Sequence, residues 1–183
     1  MIGELPTTLT VSGEDYEINS DYRIALLIFE AYDDAELSNS EKAEICLTCL
    51  FGNNIPLDTQ EALKQAIWFL DGGDMPKSKC CSKKLIDWKQ DESIIFPAVN
   101  KAAGEEVRSL SYMHWWTFLG LFGEIGEGLF SSVMNIRQKK AKGKRLEKWE
   151  QEFYREHKEL IDIKPHYTEA EQAEIDRLNK LLG

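Results

Sequence analysis

Apolar positions recur at helical spacing through most of the chain and at strand spacing only near its start. The opening TLTVSGEDYEI holds two short β-prone runs, residues 9–11 and 16–18, separated by Ser12-Gly13-Glu14-Asp15, which predicts a small hairpin. Behind it, Ile24, Leu27, Ile28 and Ala31 share a helical face, with Asn19 or Ser20 as the expected cap and Asp33-Asp34 as the end. A second helix is expected from Ser38 or Ser40, with Ala43, Leu47 and Leu50 on one side and a stop at Gly52. Asp58 with Glu61 opens a third in capping-box fashion, carrying Leu63, Ala66, Ile67 and Leu70 up to Asp71-Gly72-Gly73.

Residues 71–83 (DGGDMPKSKCCSK) mix breakers and charges without any period and form the best internal boundary. The pattern resumes with Leu85, Ile86, Trp88, Ile94, Ile95 and Val99, where Pro97 either kinks a helix or lies in the first turn of another, and breaks at Gly104. Ser109 or Ser111 is placed to cap the most apolar segment, 112–125, and a further helical run covers 128–136. An amphipathic segment follows with Leu146, Trp149, Phe153 and Tyr154; beyond Pro165, Thr168 and Glu171 cap a last helix with Ile175, Leu178, Leu181 and Leu182. The expected fold is mainly α: a small N-terminal β-hairpin followed by a bundle of seven to eight helices, with one domain over 1–163 and a helical appendage over 164–183. Trp115, Trp116, Phe118, Leu119, Phe122 and Phe130 are too many large apolar groups for a solvent face, so most belong to the core and part of the stripe to a partner groove.

Composition fits a folded domain: 183 residues, 43% hydrophobic and 30% charged. The net charge of −10 is opposite in sign to the footprint of a general nucleic-acid binder. The longest apolar run, 115–123, is far short of the roughly 20 residues a membrane-spanning helix needs. The first residues lack the basic start and apolar stretch of a secretory signal, so the expected compartment is the cytoplasm.

Charge is unevenly placed. Residues 1–136 hold 10 basic and 22 acidic groups, net −12, and residues 137–183 hold 12 and 10, net +2. The stretch RQKKAKGKRLEK sets Arg137, Lys139, Lys140, Lys142, Lys144, Arg145 and Lys148 beside the single acid Glu147. It reads as a solvated helix end, as a surface for an acidic partner or a neighbouring copy, or as a phosphate contact; the absence of interleaved aromatics weighs against nucleic acid.

Site chemistry is sparse. Cys46 and Cys49 have C-x-x-C spacing but fall within a predicted helix among apolar residues, and the adjacent Cys80-Cys81 makes a poor second metal pair, so free core thiols are expected. His114, His157 and His166 match no metal or triad pattern and read as structural or surface groups. Glu124 and Glu127 are expected on one helix face, lining a polar edge or accepting from Arg108 or Arg137. Gly120, Gly123, Gly126 and Gly128 interrupt a helical segment, which points to close helix approach or a break, since the x-K-[ST] of a phosphate loop is missing. No catalytic, cofactor or metal residues emerge.

The run from 110 to 163 resembles the bacteriophage Gp-fifteen family, through His114-Trp115-Trp116-x-Phe118, Ile136-Arg137 and Lys144-x-Leu146-x-Lys148-x-Glu150. The likeness extends upstream through Asp87-Trp88 with Asp91 to Asp21-Tyr22-Arg23. It implies a helical, non-catalytic tail assembly chaperone that escorts the tape measure protein in the host cytoplasm until tail-tube subunits polymerise, and that is absent from the finished virion. A homo-oligomer is compatible with this role; the rival is a nucleic-acid-associated phage factor acting through 137–148. The resemblance transfers no catalytic residues, and leaves Trp115, Trp116, Phe118, Arg137, Lys139, Lys140, Lys142, Lys144 and Arg145 as the candidate partner surface.

Overall fold

In the computed structural model, residues 3–74 and 84–182 are described. Strands β1 (Thr8–Val11) and β2 (Glu14–Glu17) pair antiparallel, with Leu9 opposite Tyr16 and Val11 opposite Glu14. The hairpin loop is tighter than the sequence suggests. Ser12 and Gly13 both take positive φ, 52° and 82°, as a two-residue type I′ turn requires, so Glu14 and Asp15 already belong to β2. Leu9 and Val11 face inward and are buried.

Helices α1 (Tyr22–Asp33), α2 (Asn39–Phe51) and α3 (Thr59–Leu70) pack in succession, with β1 against α3. The cap of α1 is Asp21, which accepts from the Arg23 amide at 2.9 Å, and not Asn19 or Ser20. Those two side chains are engaged elsewhere: Asn19 donates to the Cys49 carbonyl at 2.8 Å, and Ser20 shares a hydrogen bond with the Tyr112 hydroxyl at 2.7 Å. Ser38 and Glu41 form a full capping box on α2. On α3, Asp58 accepts from the Glu61 amide at 3.0 Å, but the Glu61 carboxylate turns to the hairpin and accepts from Ser12 N at 2.9 Å and Oγ at 3.1 Å. The start of α3 therefore anchors the β-turn.

The second half comprises α4 (Glu92–Ala103), a 3-10 turn (Val107–Ser109), α5 (Trp115–Gly123) and α6 (Leu129–Ala141). Pro97 lies inside α4, where its ring deprives the Ser93 carbonyl of an amide partner without ending the helix. Neither Ser109 nor Ser111 caps α5. His114 does: its Nδ1 accepts from the Trp116 amide at 3.0 Å, which leaves the ring proton on Nε2 to be donated to the Pro6 carbonyl at 2.9 Å. Trp115 and Trp116 then donate their indole N–H groups to the carbonyls of Leu70 and Phe69, at 2.9 and 2.8 Å, so that both side chains fasten onto the end of α3, where the Phe69 carbonyl also accepts from the Gly72 amide at 3.1 Å. Gly73, at φ 91°, makes room, since a Cβ there would come within 2.9 Å of the Trp116 ring.

Trp115 and Phe118 are fully buried, and the Phe118 ring stacks on Tyr22 at 4.7 Å, joining α5 to α1. Phe130 is also buried, whereas Trp116, Leu119 and Phe122 are half-buried against the same core. Helix α6 continues into the basic stretch and ends in a Schellman turn: Gly143, at φ 64°, donates to the Lys140 carbonyl at 3.1 Å, and Lys144 N to the Lys139 carbonyl at 2.8 Å. His157 then divides the next amphipathic segment into α7 (Lys148–Glu156) and α8 (Lys158–Ile161). With α9 (Glu169–Leu182), capped by Thr168 and Glu171 as expected, the described residues contain nine α-helices, in keeping with the expected hairpin and bundle of about seven to eight. Most of the predicted boundary at 71–83, with Cys80 and Cys81, lies outside the described residues.

Candidate functional site

The basic stretch divides into an interior part and a surface part. Helix α6 turns Arg137 inward beside Ile136 and Val133, leaving it 5% exposed. Its guanidinium clasps Asp91 through Nη1–Oδ2 at 2.6 Å and Nη2–Oδ1 at 2.8 Å, and its other three N–H groups go to the carbonyls of Leu85 (2.9 Å), Leu160 (2.8 Å) and Ile161 (2.7 Å). All five donors are used inside the protein. Arg137 therefore presents nothing to a partner, which corrects its place on the candidate surface. The same correction applies to Trp115 and Phe118, whose rings are enclosed by the core.

Around this clasp lie more buried acids. Asp87 accepts from the Gln90 amide at 2.9 Å, Lys84 at 3.0 Å and His166 at 2.6 Å, and its own amide donates to Asp91 at 3.0 Å. Glu150 accepts from Lys139 at 2.6 Å, from the Glu147 amide at 2.7 Å and from Asn135 at 3.1 Å. Burial pushes both carboxyls up, but these donors outweigh it and hold Asp87 and Glu150 below the usual carboxylate range. The unfolded chain then binds more protons than the folded one in acid, so their contribution is complete above about pH 4 and is lost as pH falls further. Urea unfolding at a series of pH values should show this acid limb, and Asp87→Asn should flatten it; an Asp87→Asn limb as steep as the wild type's would count against Asp87 as a source.

Lys140 is also occupied, pairing with Asp162 at 2.5 Å and lying 3.8 Å over the Tyr154 ring. Among the described residues, Lys142, Lys144 and Arg145 have no ion-pair partner and are exposed, and this corner is what remains of the strip as free surface.

An apolar groove of about 440 Å³ lies between α4 and the segment that leads into α6, with Pro97, Ala98, Ile125 and Leu129 among its lining. Glu124, Glu127 and Lys101 supply its charges, and Lys101 donates to the Glu127 carbonyl at 3.3 Å. Glu124 and Glu127 do not share a helix face, because α5 stops at Gly123 and both belong to the connection before α6. Nor do they meet an arginine: Arg137 holds Asp91, and Arg108 holds Glu106 at 2.7 Å, drawing that carboxyl down to about 2. The glycines here make a break and not a close approach, since a Cβ at Gly120, Gly123, Gly126 or Gly128 would meet nothing within 4 Å. The groove is a tertiary product of the Pro97 turn and this glycine-rich break, and those two interruptions were its only signal in the sequence.

Cys46 is buried in α2 and Cys49 half-buried, both as free thiols, and burial pushes both up in pKa. His114 caps α5, His166 holds Asp87, and the His157 ring packs tilted against Phe153 at 4.5 Å. Among the described residues, no three His, Cys, Asp or Glu side chains gather into a metal-sized group, and no helix is long and apolar enough to cross a membrane.

Fold and surface together define a hairpin-bearing helical module with an apolar groove and a separate basic corner. The chain belongs to the bacteriophage Gp15 protein family, whose model matches residues 1–163. No curated protein and no solved structure matches it.

Proposed function

We propose that this phage protein is a non-catalytic tail assembly chaperone that holds an amphipathic helix of the tape measure protein in the groove between α4 and α6. The groove carries the reading. It is apolar, open to solvent and large enough for helix anchors spaced i, i+3 and i+4, and a long helical client is the kind of chain that aggregates when such anchors stay bare. The net charge of −10 favours solubility of the resulting complex. Membership of a bacteriophage family supports the setting, the host cytoplasm during tail assembly.

Co-expression with the tape measure protein of the same phage tests it. Leu129 is 47% exposed at the groove, so Leu129→Glu should leave the helical circular dichroism unchanged while reducing capture at least about tenfold. Leu57→Ser, at a fully exposed site away from the groove, is the matched control. Undiminished capture by Leu129→Glu removes the groove from the mechanism. Capture of tail-tube protein in place of tape measure protein, or retention of nucleic acid, overturns the client assignment.

A further inference from the structure

We propose that α9 of one copy docks on the basic corner at residues 142–149 of a second copy, giving a reciprocal dimer. Helix α9 lies beyond the 1–163 family module and is exposed at every described position except Ile175, which is half-buried. A helix of 14 residues is marginal in water without a packing surface. Its composition specifies the surface it needs. Ile175, Leu178 and Leu181 form an apolar stripe, with Leu178 and Leu181 at 50% and 74% exposure, and Glu169, Glu171, Glu174 and Asp176 outnumber Arg177 and Lys180.

The corner has the complementary character. Lys142, Lys144, Arg145 and Lys148 surround a single acid, Glu147, and Trp149 is 50% exposed beside them. The α4–α6 groove is the less suitable receptor for this helix, because its rim carries Glu124 and Glu127 and would repel an acidic partner. The helix does not cover the corner of its own chain. Its approach is held elsewhere, by the His166–Asp87 bond at 2.6 Å and by the Glu169 amide, which donates to Glu36 in the connection between α1 and α2. A second copy supplies the match, and two-fold symmetry forms the contact twice.

Sedimentation velocity on the full chain over a concentration series tests this. The wild type should dimerise, and should do so less well as salt rises. Lys144→Glu with Arg145→Glu should weaken dimerisation about 100-fold, as should Glu174→Lys with Asp176→Lys, each with an unchanged helical spectrum. All four changes in one chain should restore the dimer, because the charges are exchanged and not lost. Three results would overturn the proposal: a wild type that stays monomeric throughout, a dimer indifferent to both reversals, or no recovery in the four-fold variant. Hydrogen exchange distinguishes docking within one chain: α9 amides protected in a monomer and released by Lys144→Glu with Arg145→Glu would also overturn it.

Discussion

Arg137→Ala is expected to destabilise the protein severely, by about 3–5 kcal/mol or more. The substitution strands the Asp91 carboxylate, 0% exposed, without its counter-charge, and removing one member of a buried pair costs about 3–5 kcal/mol. A domain of this kind has only about 5–15 kcal/mol in total. Arg137→Lys should fare little better, since an ammonium cannot reproduce a planar fork that serves Asp91 and three carbonyls on two sides. Replacing both partners, as Asp91→Leu with Arg137→Leu, is often harmless for a buried pair. Here it should still destabilise, because the carbonyls of Leu85, Leu160 and Ile161 and the Asp87 amide lose their partners, at about 1–3 kcal/mol for each group left unsatisfied. Urea unfolding followed by circular dichroism measures all three variants, and a double variant as stable as the wild type would show that the carbonyls find water instead.

Trp115→Ala should cost about 3–5 kcal/mol, through the lost apolar surface and the cavity left between α1 and α5. Trp115→Phe separates the two roles of the side chain: it keeps most of the ring but abandons the Leu70 carbonyl, so about 1–3 kcal/mol of the effect should persist. Trp116 makes the equivalent bond to Phe69 from a half-buried position, and Trp116→Ala should be milder than Trp115→Ala. Denaturation midpoints of the set decide this, and equal losses at the two positions would mean that depth of burial is not what distinguishes them.

Local chemistry was legible in the sequence at several places where the partners lie within a few residues and nothing distant competes. The start of α2 at Ser38, expected there or at Ser40, the start of α3 at Asp58 and the box at Thr168 belong to this class, whereas the hairpin loop was expected to be two residues longer than it is. The missed caps are those settled by distant partners. Asp21 bridges to His114 and also accepts from the Met113 amide, and His114 reaches back to Pro6, none of which a local window contains. Arg137 was misassigned for a related reason. Read along the chain it opens a run of lysines, whereas on the helix it shares a face with Val133 and Ile136, and that periodicity was available in the sequence. Several residues that carry the family resemblance, among them Asp21, Asp87, Asp91, His114, Arg137 and Glu150, prove to be the fasteners of the fold. The groove, by contrast, is assembled from interruptions that no motif marks, and the basic corner is the part of a marked stretch that the fold leaves unpaired.

The position of those fasteners along the chain bears on how the molecule is made. A ribosome that has released the hairpin and α1 to α3 has produced a half whose Leu70 carbonyl awaits Trp115, and whose Pro6 carbonyl awaits His114. Arg137 arrives later still, and its last acceptor, Ile161, almost at the end of the family module. Contacts so far apart in sequence carry a large loop-closure cost and slow the search for the native state. The nascent amino-terminal half therefore lacks some of its fasteners until nearly all of the module has emerged, and its acidic character, 13 acidic against 3 basic groups through residue 70, is well suited to keeping that chain from sticking to its neighbours.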